Sequence, residues 1–160
     1  MANAWVLPDA VDTDVILPGR YLNITDPAEL ASHALEGLDP ELAKKIKKGD
    51  FILAGRNFGC GSSREQAPVA LKALGVQCVI AESFARIFYR NALNIGLLVL
   101  ETKDNINELI SSGDEVELSG DRKELRNLTK DTKLRLIPLP EFMARIVDAG
   151  GIVPYLKKES

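Results

Sequence analysis

"DFILAGRNFGCGSSREQAPVALKALGVQCVIA", residues 50 to 81, decides the fold. Its opening run, "DFILAG", has no alternation of apolar and polar residues, so a strand built from it is buried on both faces. "SSREQAPVALKALG", 62 to 75, has helical spacing, and "VQCVIA", 76 to 81, is a second unalternated strand. The rhythm continues with "SFARIFYRNALNIG", 83 to 96, as a helix and "LLVLE", 97 to 101, as a third strand. Short links between such elements imply parallel strands joined by right-handed crossovers, the core of an α/β fold. Pro68 removes a backbone donor and kinks the first helix unless it falls within the opening turn or two.

On the amino-terminal side, "ANAWVL", 2 to 7, reads as a strand. The segment from 8 to 26 is too rich in turn formers for a helix and is expected as a long loop. Asp26, Pro27 and Glu29 form an N-cap, a first helical position and a capping box, predicting a helix over 27–36 stopped by Gly37. Asp39 and Pro40 repeat the device for a short helix ending near Lys48. On the carboxy-terminal side "DEVELSG", "KELRNL" and "TKLRLIPL" alternate and read as small antiparallel strands. "PEFMARIVDAGGIVPYLKK" is helical, broken at Gly150–Gly151. With 160 residues and 46% apolar content, one domain over 1–160 is expected.

The net charge of −3 and pI near 5.3 argue against a nucleic-acid groove. "KKIKK", 44 to 48, reads as a solvated helix end. No apolar window suits a membrane span and the amino terminus lacks a signal-peptide pattern, so a cytoplasmic protein is expected. Cys60 and Cys78 fit a reducing compartment, Cys78 as a buried thiol. With two cysteines and one histidine the chain has too few ligands for a thiolate-held cluster or an ordinary zinc site. His33, in a helical pattern, reads as a surface or half-buried helix residue.

The turn "GRNFGCGSSREQAP", 55 to 68, lies between a buried strand and a helix, at the edge where open parallel sheets bind ligands. It lacks the lysine of a P-loop, the third glycine of a dinucleotide fingerprint and the pattern of a nucleophile elbow. Cys60 reads as a neighbour of an anion site or a packing residue before it reads as a nucleophile. Ser62, Ser63 and Arg64 remain, with Arg64 expected on the opening turn of the helix. A guanidinium grips a carboxylate through two parallel hydrogen bonds, and hydroxyls and amides take its remaining oxygens. Plain helix capping by the serines is the other reading of the same residues.

"GRNFGCGSSREQAPVALKALG", "VIAESFARIFYRNALNIGLLVL" and, before them, "DTDVILPGRYL" together resemble the small subunits of the isopropylmalate isomerase and homoaconitase group. The likeness runs from the first strand to "AGGIVPYLK". It implies a swivelling β/β/α domain of the aconitase superfamily, with a buried, mostly parallel sheet, flanking helices and small antiparallel strands. It also implies a hydro-lyase that removes and re-adds water on a branched 2-hydroxy acid in leucine biosynthesis, active only with a large subunit. That partner carries the [4Fe–4S] cluster, and this chain binds no metal.

By the same resemblance Ser62 is the base, while Gly61, Ser63, Arg64 and Asp14 bind substrate, with Asp12 and Thr13 sharing the aspartate's motif. Tyr21, Leu22, Asn23, Ile24 and Thr25 form the loop that senses the substrate's variable group. Ile24, with no arginine in the loop, suits isopropylmalate; Arg20 next door and Asn23 keep homoaconitate and citramalate- or dimethylmalate-type substrates open. Gln66 stands where many members have histidine. Phe84, Ile87, Phe88 and Leu93 are expected in the core, and Arg86 and Arg90 as solvated or partner-facing. A free-standing carboxylate-binding module is the reading from a different class.

Overall fold

A computed structural model describes residues 2–159; Met1 and Ser160, the ends of the expected 1–160 domain, lie outside the described residues. The strands are β1 (Ala2–Val6), β2 (Phe51–Ala54), β3 (Cys78–Ala81), β4 (Val99–Glu101), β5 (Glu115–Leu118), β6 (Glu124–Asn127) and β7 (Thr132–Arg135). They form one sheet in the order β4-β3-β2-β1-β5-β6-β7. β1 to β4 pair in parallel, Val6 opposite Leu53 and Leu53 opposite Ile80. β1 then pairs antiparallel with β5, Ala2 opposite Val116, and the hairpins to β6 and β7 follow. The antiparallel strands therefore extend the parallel sheet instead of standing apart, and the sheet is mixed.

β2 and β3 are buried at every position, as unalternated strands must be. β6 and β7 alternate, with Leu125 and Leu134 inward. α4 (Gln66–Leu74) and α5 (Arg86–Asn94) are the crossovers between β2, β3 and β4. Pro68 sits at the third position of α4, where its missing N–H would have had no intrahelical partner, and Gly75 ends the helix at φ 97°. Cys78 is fully buried, and burial pushes its thiol well above the ordinary range.

Two expectations for the amino-terminal third are corrected. The 8–26 segment contains one helical turn, α1 (Thr13–Ile16), because the Asp12 carboxylate accepts from the Val15 amide at 2.8 Å and so caps it; a 3-10 turn, Gly19–Tyr21, follows. The helix expected over 27–36 is α2 (Pro27–Ser32) and stops earlier. Past Ser32 the chain turns back onto α1, the Leu35 amide donating to the Ile16 carbonyl and the Gly37 amide to the Val15 carbonyl. Gly37 allows this approach, since a Cβ there would stand 2.8 Å from Val15 Cα. It is a contact glycine, and the helix stop lies before it.

α3 (Leu42–Lys45) closes this region, with Asp39 accepting from the Glu41 amide. Past the sheet come a short α6 (Ile106–Leu109), then α7 (Glu141–Asp148) and α8 (Ile152–Glu159), separated at Gly150 and Gly151 with φ of 95° and 128°. No helix among the described residues is long and apolar enough to cross a membrane.

Candidate active site

The segment after β2 leaves the carboxyl edge of the sheet and runs beside the α1 region. The Gly59 amide donates to the Val11 carbonyl at 2.7 Å and the Thr13 amide to the Cys60 carbonyl at 2.9 Å. The buried Thr13 hydroxyl donates to the Ser62 carbonyl at 2.7 Å. Gly59 and Gly61 turn the chain at φ 83° and 91°, a region that favours glycine. A Cβ on Gly59 would stand 2.3 Å from Phe88 Cγ, so that position also admits α5 against the turn.

Ser62 and Ser63 are exposed. Their hydroxyls, and the amides of residues 61 to 64, donate to no acceptor among the described residues. Backbone donors left open in a row are costly unless water or a ligand takes them. α4 begins only at Gln66, and no side chain caps it, so Arg64 lies in the turn before the helix and not on its opening turn. The capping reading of Ser62 and Ser63 fails for the same reason.

Arg64 is held by one nitrogen. Its Nη1 donates to Asp14 Oδ1 at 2.8 Å and to the Leu17 carbonyl at 3.1 Å. Nη2 and Nε carry no hydrogen bond among the described residues, leaving one edge of the guanidinium for an incoming oxyanion. Asp14 Oδ1 also accepts from the Gly19 amide at 3.0 Å. The Arg64 hydrogen bond, then the Gly19 amide, hold the Asp14 carboxyl below its ordinary value.

A cleft of about 380 Å³ opens here, lined by Gly61, Ser63 and Arg64 together with Thr13, Gly59 and the start of α5. Ser62 lies between two lining residues in the chain, is exposed, and is not itself part of the lining. Thus the structure brings Gly61, Ser62, Ser63, Arg64 and Asp14 together. Asp12 caps α1 and Thr13 ties the two segments, which separates roles the sequence left merged.

Several members of the site were not legible in the sequence. Ile87, expected in the core, is 55% exposed and lines the cleft, with Asn91 one helical turn on. Phe88 and Leu93 are buried as expected, and Arg86 borders both this cleft and an apolar groove between α5 and α7. The amphipathic pattern of α5 marks which residues are apolar, but Ile87 lies on the flank of that stripe. The Tyr21–Thr25 segment begins two residues after Gly19, and Tyr21 stacks on His33 with centroids 3.7 Å apart. Neither Cys60, half-buried in the turn, nor any other residue joins a group of three or more metal-ligating side chains among the described residues. The donor set does not fit an iron–sulfur cluster on this chain.

The fold and the glycine–serine turn at its sheet edge define an aconitase-type swivel domain. The family model of the aconitase C-terminal domain matches residues 38–105. The 3-isopropylmalate dehydratase small subunit of Caldicellulosiruptor saccharolyticus is 58% identical over 94% of this chain and 87% of its own length. The isopropylmalate/citramalate isomerase small subunit of Methanocaldococcus jannaschii is 55% identical over 97% of this chain and 92% of its own. A crystal structure of 3-isopropylmalate dehydratase from Methanocaldococcus jannaschii superposes with a TM-score of 0.94 at 49% identity, covering 99% of this chain and 93% of that one. The chain belongs to the family of 3-isopropylmalate dehydratase small subunits, within the aconitase superfamily.

Proposed function

We propose that this chain is the small subunit of a hydro-lyase that interconverts 2- and 3-isopropylmalate by removing and re-adding water, in leucine biosynthesis. One observation carries the reading. In a chain of this family, Arg64 with one guanidinium edge free lines a cleft together with Gly61 and Ser63, and the exposed, unpartnered Ser62 lies between them in a turn whose amides, 61 to 64, are open. Each is a group that binds or deprotonates next to a carboxylate.

In the proposed reaction Arg64 and Ser63 take a substrate carboxylate, Arg64 through Nη2 and Nε while Asp14 holds Nη1. Ser62 acts as the alkoxide, its charge stabilised by the open amides and the nearby guanidinium, and its Oγ takes the proton from the carbon beside that carboxylate to become the neutral hydroxyl. The electron pair left on carbon spreads onto the carboxylate oxygens, where the guanidinium and the open amides stabilise it. The hydroxyl on the adjacent carbon leaves, and a double bond forms between the two carbons. Water then adds with the opposite regiochemistry, and the proton held on Ser62 returns to carbon.

The Tyr21–Thr25 loop, apolar at Leu22 and Ile24, lies beside the turn that touches Asp14 and is assigned the isopropyl group. The [4Fe–4S] cluster that assists loss of the hydroxyl is assigned to a large partner subunit. The test is to reconstitute the chain with candidate large subunits from the same cell and assay 2-isopropylmalate, homoaconitate, citramalate and 2,3-dimethylmalate. Turnover of 2-isopropylmalate only in the assembled pair is the expected result. Assembly with no turnover of 2-isopropylmalate would overturn the substrate assignment. Dicarboxylate binding by the chain alone, with no partner captured, would favour a free-standing binding module.

A further inference from the structure

Beside the site, three side chains meet on one carboxylate that the reaction does not use. Glu36 Oε1 accepts from the Tyr21 hydroxyl at 2.6 Å and from Arg20 Nη2 at 2.9 Å, and Oε2 faces His33 Nδ1 at 2.8 Å. The Tyr21 ring lies parallel to His33 within 9°, and the Arg20 guanidinium carbon is 4.7 Å from the centre of the Tyr21 ring. The Tyr21 and His33 hydrogen bonds hold the Glu36 carboxyl below its ordinary range, so it is an anion at neutral pH.

Where Glu36 sits matters as much as what it holds. Its chain neighbours Leu35 and Gly37 are the residues whose amides bond the carbonyls of Ile16 and Val15 on α1. The same helix carries Asp14, which grips Arg64 and the Gly19 amide. Two carboxylates fixed to one helix thus hold the two ends of the Gly19–Tyr21 turn, Asp14 at Gly19 and Glu36 at Tyr21. The backbone beyond follows that turn, with the Leu22 amide on the Gly19 carbonyl and the Ile24 amide on the Tyr21 carbonyl. Leu22 and Ile24 also rest half-buried against the core, so release of the Tyr21 end loosens the loop at its start and shifts it, while Asp14 and Arg64 keep their contacts.

We propose that Glu36 is a positioning residue for substrate selection: by clamping Arg20, Tyr21 and His33 it aims the Tyr21–Thr25 loop at the part of the substrate that varies. This rests on the assignment of that loop to the isopropyl group. Glu36 does not touch substrate and takes no part in proton transfer. Its removal acts on recognition of the branched side chain and leaves the chemistry at Ser62 intact.

The experiment compares Glu36→Ala and Glu36→Gln in the assembled complex, using 2-isopropylmalate and the smaller citramalate. Glu36→Ala is expected to raise KM for 2-isopropylmalate about tenfold with kcat within about threefold, and to shift the kcat/KM ratio of the two substrates about tenfold. Glu36→Gln still accepts from Tyr21 and Arg20 and is expected to restore the ratio to within about threefold. An unchanged ratio in a folded Glu36→Ala complex, or an equal fall in kcat on both substrates, overturns the proposal. If Glu36→Ala does not assemble, His33→Ala, which removes the ring stacked on Tyr21 and one partner of Glu36 from outside the loop, is measured in its place against the same outcomes.

A second readout does not depend on activity. Amide exchange in the free chain is expected to accelerate over residues 19 to 25 in Glu36→Ala, with β2 and β3 unchanged. If the wild-type complex turns over neither substrate, the functional reading fails and exchange alone decides: acceleration confined to 19–25 upholds the clamp, and wild-type exchange there overturns it.

Discussion

Thr13 and Ser62 are 49 residues apart in sequence and joined at 2.7 Å, the threonine hydroxyl donating to the serine carbonyl. Thr13 is 3% exposed while Ser62 is exposed, so the bond anchors the peptide that carries the Ser62 hydroxyl to a buried side chain. Thr13→Val keeps the volume and removes the donor. Its expected cost is about 1–2 kcal/mol in the urea unfolding of the chain, together with a several-fold drop in kcat of the complex, while Thr13→Ser stays near wild type.

Ser62→Ala and Ser63→Ala separate chemistry from binding. Both residues are exposed and neither hydroxyl has a partner among the described residues, so each variant is expected to unfold within about 0.5 kcal/mol of wild type. In the assembled complex Ser62→Ala should lose about 10²–10⁴-fold in kcat, the range for removing a positioned base. Ser63→Ala should act chiefly on KM. Normal turnover in Ser62→Ala removes that residue from the role of base.

Arg64→Lys tests the two-nitrogen grip. A lysine reaches Asp14 or a substrate carboxylate as a single point and offers no second parallel donor. KM for 2-isopropylmalate is expected to rise about tenfold or more, the loss of one charged hydrogen bond being worth about 1.5–3 kcal/mol. An unchanged KM would show that the free edge of Arg64 does not receive the carboxylate.

What the sequence disclosed and what it hid follow from the range of the interactions involved. "FILA", "CVIA" and the intervening helix are local patterns, each a direct consequence of burial on both faces or on one. The same holds for Gly61 to Arg64 as a turn with open donors, since the glycines and serines before the helix suggest amides and hydroxyls without partners there. The pairing of Arg64 with Asp14 spans 50 residues, and Glu36 meets Tyr21 only because the chain after Ser32 docks on α1. No local period encodes such contacts. Opposite charges in the two short motifs "DTD" and "SSRE" were the available signal for the first; for the second, the tyrosine, histidine and glutamate side chains carried none.

Acid should loosen the site before it unfolds the sheet. Asp14 and Glu36 both have carboxyl groups lowered on folding, Asp14 first by Arg64 and Glu36 first by Tyr21. Their contribution is complete above the ordinary values of 3.8 and 4.5 and is lost as pH falls through the lower folded values. Urea midpoints of the chain should therefore drop more steeply between about pH 5 and pH 3 in the wild type than in an Asp14→Asn, Glu36→Gln double variant. Equal slopes would mean that neither carboxylate is held in solution as it is here.

Gly59→Ala tests whether the turn is built around α5. The residue sits at φ 83°, and the added methyl would lie 2.3 Å from Phe88 Cγ and 2.4 Å from Phe88 Cβ. Left-handed strain of about 1–2 kcal/mol and overpacking of about 1–3 kcal/mol together predict a loss of about 3 kcal/mol. Phe88 is buried and meets Phe58 edge-on with centroids 5.2 Å apart, so the ring has little room to move aside. Phe88→Ala alone is also destabilising, by about 3–5 kcal/mol through the cavity it leaves. In the double variant the clash with the ring carbons disappears, while the 2.4 Å contact with Phe88 Cβ and the backbone strain stay, so the two changes should cost only about 1 kcal/mol less together than their sum. Full additivity in urea unfolding would show that Phe88 is not the wall against which the turn is set.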